Sequence, residues 1–156
     1  MEPTRNESIL SLHPKVRTAM AGALLTCEKS GLNCFLFEGL RADQRQAWLY
    51  AQGRTTPGPV VTHANVGTSW HRYGCAGDIV FKDQHNRWTW EGDYAAVGKI
   101  FTDAGFFWGK HFKSFSEMDH FEMTFGLALP DAEALFAKGG NAKVWSKIDQ
   151  LVGKPS

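Results

Sequence analysis

The chain has 156 residues, of which 43% are hydrophobic and 21% are charged. This length fits one domain with a buried core, and this composition is typical of globular rather than disordered chains. The formal net charge is +1, so no strong field attracts nucleic acid and we expect no nucleic-acid partner.

The first half of the chain contains two predicted helices, one predicted strand and a long loop. Proline opens a helix over residues 14–29, in which apolar residues recur at helical spacing. A short strand over 33–38 and a second helix over 43–52 follow. Residues 55–70 have the composition of a loop, and so long a loop within one domain is usually functional.

The second half mixes short strands and helices. The predicted strands are 75–81, 106–109 and 119–125, with a turn at 82–88. The predicted helices are 94–104, 131–137 and 142–152. Because helix and strand do not alternate regularly, we expect an α+β fold with an antiparallel sheet. We expect a single domain over 1–156, with its core at about 12–125 and C-terminal helices at about 130–152.

Targeting and redox signals are absent from the sequence. The N-terminal stretch MEPTRNESILSLHP lacks the basic-then-apolar order of a signal peptide, and no stretch is long and apolar enough to span a membrane. We therefore expect synthesis in a cytoplasm without stable membrane insertion. The three cysteines are an odd number and do not predict a disulfide framework.

Three residues form a ligand set that is typical of catalytic zinc. Such a site takes three protein ligands, commonly His and Asp or Glu, and leaves a fourth position for water. His71, Asp78 and His120 supply this set. His71 ends the long loop, Asp78 lies on the next strand, and His120 begins a separate strand that need only pair beside it. Gly74 and Gly77 allow the intervening turn to reverse the chain.

Three carboxylates close to His120 in sequence compete for the role of catalytic acid and base. A water molecule activated by zinc needs a base to take its proton and an acid to protonate the leaving amine. Glu117, Asp119 and Glu122 are the candidates. Glu117 fits if it still lies in the loop before the strand. Glu122 shares the strand face of His120 and is also a candidate hydrogen-bond partner for it.

Other side chains are candidates for contact with substrate. Arg41 lies between a predicted strand and a predicted helix, where it can stabilise an oxyanion or hold a substrate carboxylate. A surface salt bridge is its alternative role. Ser69 can hydrogen-bond to substrate or to the loop backbone. Trp70, Trp108 and the loop 55–67 are candidates for the groove wall, with ordinary packing as the alternative for Trp108.

One stretch, SWHRYGCAGD, matches the whole pattern S-x-H-x-x-G-x-A-x-D, through Ser69, His71, Gly74, Ala76 and Asp78. This pattern resembles that of the VanY-like zinc D-Ala-D-Ala peptidases, also called the LAS family. The stretches FEGLRADQRQAWLYAQGRT and GFFWGKHFKSFSEMDHFEM are similar to the branch of small phage endolysins that cut the peptide stems of peptidoglycan. The resemblance covers residues 12–123.

The resemblance implies a role for each candidate. The three candidate ligands bind one zinc ion, Glu117 is the catalytic acid and base, Arg41 assists substrate and transition state, and Ser69 lies near substrate. It also implies a small α+β domain whose antiparallel sheet cradles zinc, as in Hedgehog-like peptidases. The chain departs from the endolysin branch at Glu117, where Asp is common, and at Asp119, where proline is common.

We therefore predict a monomeric zinc hydrolase that cuts an internal bond of the peptidoglycan stem, the L-alanyl-D-glutamate bond. A carboxypeptidase that removes the terminal D-Ala is the first alternative, which Glu117 leaves open. A zinc-stabilised cell-wall binding module without activity is the second. A lysin of this kind would reach the wall in the periplasm through holes made by another protein, a holin. Phage, prophage and bacterial origins are all compatible with the sequence.

Overall fold

The computed structural model describes residues 1–153, so the last three residues of the predicted domain lie outside it. The helices are α1 (Pro14–Lys29), α2 (Asp43–Ala51), α3 (Tyr94–Asp103) and α4 (Leu129–Val152). The strands are β1 (Cys34–Glu38), β2 (Ala76–Lys82), β3 (Trp88–Thr89), β4 (Phe107–Trp108) and β5 (His120–Glu122). Within this described part, no helix combines the length and apolar character needed to cross a bilayer.

The strands form one antiparallel sheet, which confirms the predicted α+β class. Its order is β1-β2-β5-β4, and β3 pairs with the C-terminal end of β2. The register places Asp78 of β2 directly opposite His120 of β5. Because opposed residues on neighbouring strands point to the same side of a sheet, both side chains lie on one face.

Two predicted elements in the second half are shorter in the structure. The turn predicted over 82–88 is shorter by one residue at each end, because Lys82 ends β2 and pairs with Trp88 at the start of β3. The strand predicted over 119–125 is shorter in the structure and spans His120–Glu122. Three residues beyond its end, Phe125 has a positive φ of 55°, which is incompatible with an extended strand.

The two predicted C-terminal helices are present as the two parts of α4. They meet at Gly139 and Gly140, where the backbone angles are not helical. Gly140 has a φ of 68°, in the left-handed region that glycine enters without steric cost.

Helices α1 and α3 cover the face of the sheet opposite the Asp78 side chain. Gly77 makes the α1 contact possible, since a Cβ there would lie 2.5 Å from Met20 Cε and 2.9 Å from Leu36 Cδ1. Gly77 therefore allows close helix packing, and the prediction that it serves the turn is wrong. Gly74 does serve the turn, with a φ of 68° at the end of the short 3-10 helix Trp70–Tyr73.

Candidate metal centre and active site

The three predicted metal ligands converge on one point. His71 Nε2 lies 3.0 Å from Asp78 Oδ1 and 3.2 Å from His120 Nδ1, and the remaining pair of atoms is also 3.2 Å apart. Ligand atoms around a tetrahedral zinc ion lie about 3.3–3.5 Å apart, as bond lengths of about 2.0–2.2 Å require. The three residues could therefore hold a small divalent cation.

Hydrogen bonds on the far side of each imidazole fix which nitrogen faces this point. His71 Nδ1 donates to the Gly39 carbonyl at 2.7 Å, which leaves Nε2 with its lone pair. His120 Nε2 donates to Glu122 Oε2 at 2.8 Å, which directs Nδ1 to the same point. Partners of this kind hold metal-binding histidines in the correct tautomer and orientation. The predicted contact of Glu122 with His120 is thus present.

Arg41 holds the third candidate ligand, Asp78, and is itself buried, with 8% of its surface exposed. Its Nη2 donates to Asp78 Oδ2 at 2.7 Å and lies 2.8 Å from Glu38 Oε2, while Nη1 donates to Gln46 Oε1 at 3.0 Å. These bonds leave Asp78 Oδ1 directed at the two histidines. Arg41 faces the pocket, but its guanidinium orients a ligand and is not the exposed salt bridge that was its alternative.

The charges at the site favour a bound cation. The pKa of Asp78 is well below its usual range, because His71, His120 and Arg41 outweigh the effect of burial, which raises it. Burial and the nearby Arg41 lower the pKa of His71. Burial lowers the pKa of His120, but hydrogen bonds to Asp78 and Glu122 raise it to about 10. The carboxylates that stabilise a proton there also stabilise a metal ion that replaces it.

Glu117 is the candidate base that lies beside the three ligands without belonging to them. Its Oε2 is 3.8 Å from His120 Nδ1, and burial raises its pKa. Glu117 lies in the loop before β5, which is the condition under which the sequence analysis expected it to fit the role of base. Burial and the charge of Asp78 raise the pKa of Asp119 to about 7. Among the described residues, Asp119 forms no ion pair with either histidine, and Glu122 is already bonded to His120.

Gly109 brings the loop that carries Glu117 against the sheet. The Glu117 backbone N–H donates to the Gly109 carbonyl at 3.0 Å. A Cβ on residue 109 would lie 2.7 Å from the Glu117 carbonyl oxygen and 3.0 Å from His120 Cβ. The loop approaches this closely only because residue 109 has no side chain.

Gly109→Ala therefore displaces the candidate base, and we expect activity to fall by about 100-fold, the scale reported for a misplacement of about 1 Å. The matched control is Gly22→Ala, since a Cβ at this helical position meets nothing within 4 Å. Peptidase rates and melting temperatures of both variants check this. Full activity in the Gly109 variant would show that the loop tolerates the methyl group.

A pocket of about 940 Å³ surrounds the site. The long loop contributes a wall through Val61, Thr62 and His63, as predicted for 55–67. His63 stacks on Phe115 of the loop that carries Glu117, with ring centroids 4.5 Å apart. The pocket is large enough for several residues of a peptide.

Of the residues predicted to contact substrate, Ser69 and Trp70 line the pocket, and Trp108 does not. Trp70 and Ser69 line the pocket but are mostly buried, and Ser69 Oγ accepts a hydrogen bond from the His71 backbone N–H at 3.4 Å. The prediction that Trp108 forms part of the groove wall is wrong, because the described pocket lining does not include it. Its ring packs where a Gly98 side chain would lie, and its Nε1 donates to the Met118 carbonyl at 2.8 Å.

Cys75 does not compete for the metal. Its thiol lies within hydrogen-bond distance of the Tyr73 carbonyl, at 3.5 Å, and it is fully buried. Burial, with a smaller effect of Glu122, raises its pKa to about 12, so the thiol is not a nucleophile at neutral pH. Among the described residues, the group that could hold a metal does not include Cys75.

Some contributors to the site carried no sequence signal. The Gly39 carbonyl that orients His71 lies 32 residues away along the chain, and any residue would supply the same carbonyl. Glu38 is 1% exposed and bridges Arg41 and Arg45. Its position at the end of a predicted strand gave no indication of two arginine partners.

The chain is similar to known peptidases in sequence and in fold. Residues 62–123 match the sequence profile of a family described as D-alanyl-D-alanine carboxypeptidase. Over 122 residues the chain is 32% identical to the peptidoglycan L-alanyl-D-glutamate endopeptidase CwlK of Bacillus subtilis (strain 168), covering 72% of this chain and 73% of that protein. The crystal structure of the Serratia marcescens L-Ala D-Glu endopeptidase ChiX has a similar fold, with a TM-score of 0.56 at 24% identity, over 80% of this chain and 90% of that one.

Proposed function

The chain belongs to the VanY-like peptidase family, and from this we propose that it is a zinc-dependent peptidoglycan peptidase that hydrolyses the L-alanyl-D-glutamate bond of the stem peptide. The observation that carries the proposal is the convergence of His71, Asp78 and His120 beside Glu117 in one pocket. The relatives named above as L-alanyl-D-glutamate endopeptidases support the choice of bond.

The site residues divide the work of hydrolysis. Zinc held by His71, Asp78 and His120 would polarise the scissile carbonyl and lower the pKa of a water molecule to about 7. Glu117 is placed to take a proton from the attacking water, whose oxygen would bond to the carbonyl carbon of L-Ala. Glu117 then donates the proton to the nitrogen of D-Glu, and the C–N bond breaks. Burial raises the pKa of Glu117, which brings the carboxyl group closer to the working pH of a general acid and base.

The arginines support cleavage of an internal bond rather than removal of a terminal residue. A carboxypeptidase needs a cation for the substrate's free carboxylate. Arg41 and Arg45 are the arginines in the described pocket lining, and both are already paired. Arg41 pairs with Asp78 and Glu38, and Arg45 pairs with Glu38 and Glu2. We assign Arg41 the role of holding Asp78 and balancing its charge.

The D-alanyl-D-alanine carboxypeptidase activity is the second candidate, because that is how the matching family is described. A stem pentapeptide with an acetylated L-Ala amine contains both bonds and separates the two activities. We expect N-acetyl-L-Ala and a tetrapeptide that begins with D-Glu, identified by chromatography and mass. Free D-Ala would establish the carboxypeptidase, and a protein that cuts neither this peptide nor intact peptidoglycan would be only a binding module.

We also propose that the enzyme works as a monomer on the periplasmic side of the wall, after a holin opens the membrane. The site is assembled from one chain, which supports the monomer. The resemblance of residues 37–55 and 105–123 to phage endolysins supports the lytic setting. Co-expression with and without a holin tests it, since lysis should require both proteins.

A further inference from the structure

Four aromatic side chains form a cluster on the surface, which we call the aromatic platform: Phe35, Phe37, Trp88 and Trp90. Phe35, Trp88 and Trp90 are exposed by 37%, 41% and 51%. Phe37 joins them, with ring centroids 6.2 Å from Trp88 and 4.7 Å from Trp90, and Phe35 lies 5.8 Å from Trp88. Exposed apolar groups scattered singly are ordinary, but a contiguous patch marks an interaction surface.

The platform lies on the same face of the sheet as the metal ligands. Side chains alternate along a strand, so Asp78, Val80 and Lys82 of β2 share one face. Phe35 pairs with Val80, and Trp88 pairs with Lys82. At a rise of about 3.3 Å per residue, Lys82 lies about 13 Å from Asp78. The platform is therefore the continuation of the active-site face along β2.

The pocket and the platform are continuous. Phe37 and Trp90 belong to the platform and also line the pocket that contains Asp78 and Glu117. A polymer held at the candidate metal centre therefore extends over these two rings when it leaves the pocket on this side.

The chemistry of the platform fits a sugar. In peptidoglycan, L-Ala is joined by an amide bond to the lactyl group of a muramic acid, so each L-alanyl-D-glutamate bond lies one residue from a sugar ring. Pyranose rings have apolar C–H faces that stack on aromatic rings and polar edges that need hydrogen-bond partners. Arg5 lies over one face of the Phe37 ring, 3.7 Å from its centroid, and Lys82 lies over one face of the Trp88 ring at 4.4 Å, so hydrogen-bond donors border the faces that stay open.

We propose that the aromatic platform binds the N-acetylated sugar rings of the glycan strand on the muramic-acid side of the scissile bond. This inference rests on the proposed function and adds the carbohydrate part of the substrate to it. The platform lets the enzyme distinguish stems that are still attached to glycan from free stem peptides.

The test compares two substrates in Trp88→Ala, since Trp88 is part of the platform but not of the described pocket lining. The quantity measured is the ratio of kcat/KM on intact sacculi to kcat/KM on the acetylated pentapeptide. We expect this ratio to fall at least about tenfold, the scale of losing an aromatic anchor. Trp88→Tyr, which keeps a ring, should restore most of it. Phe107→Ala is the control, because Phe107 is 46% exposed but lies on β4.

An unchanged ratio in Trp88→Ala would contradict glycan binding by the platform, whether kcat/KM is kept on both substrates or falls equally on both. If wild-type protein cuts neither substrate, the proposed function fails instead. Phe35→Ala serves as a second variant if Trp88→Ala unfolds. Glycan strands stripped of their stems should quench tryptophan fluorescence of the wild-type protein and not of Trp88→Ala. A dimer that the substitution dissociates in sedimentation would assign the patch to a second copy of the chain.

Discussion

Replacing Glu117 by Gln should lower kcat on the acetylated pentapeptide by about 100-fold or more, the usual contribution of a general base. Glutamine keeps the size of the side chain but cannot accept the proton. Since Glu117 lies beside His120 Nδ1 without being one of the three converging ligands, its replacement should leave the zinc content unchanged. Single-turnover kinetics and elemental analysis of the same preparation measure both quantities.

Asp119→Asn is the matched control for this substitution. Asp119 also lines the pocket and is also partly buried, so the two variants lose one carboxylate each in the same loop. We expect the Asp119 variant to stay within a few-fold of wild type. The reverse result, with activity lost in Asp119→Asn and kept in Glu117→Gln, would contradict the assigned base.

Replacing His71, Asp78 or His120 by Ala should remove the metal and with it the activity. Each residue supplies one of three atoms that lie 3.0–3.2 Å apart, and two remaining protein ligands do not complete a catalytic zinc site. We expect the zinc content to fall from one ion per chain to near zero after dialysis. The melting temperature should also lose its dependence on added zinc, because a ligand stabilises only the state that binds it.

His85→Ala is the control for the ligand variants. His85 lies in the exposed turn between β2 and β3 and belongs to no metal-binding group among the described residues. It should keep both zinc and activity. Full zinc content in all three ligand variants would contradict the assigned site.

The sequence predicted that His71, Asp78 and His120 converge, because these candidate ligands follow simple local rules. A strand with Asp78 and a second strand that begins at His120 need only pair side by side, and a left-handed glycine at Gly74 returns the chain from His71. The ends of the helices could also be predicted from the sequence, because proline and glycine mark them. These features depend on neighbouring residues, which the sequence displays directly.

Other features depended on contacts between distant segments and could not be predicted. Gly77 serves helix packing because α1 happens to lie against it, and Trp108 points into the core because Gly98 leaves space for its ring. The burial of Arg41 between Asp78 and Glu38 requires the register of β1 with β2. Of these partners, only Glu38 and Arg41 are close in the chain.

The aromatic platform shows the same limit. Phe35 and Phe37 have the spacing of one strand face, but their neighbours Trp88 and Trp90 come from a hairpin that the sequence analysis assigned mainly to a turn. The platform depends on the pairing of β3 with β2, which the sequence does not display.

The most direct test of the central claim is mass spectrometry of the fragments released from purified peptidoglycan, with and without a zinc chelator. We expect stem peptides that begin with D-Glu, glycan that retains L-Ala, and loss of both products when chelator is present. Release of single D-Ala, or cleavage that chelator does not affect, would contradict a zinc-dependent L-alanyl-D-glutamate endopeptidase.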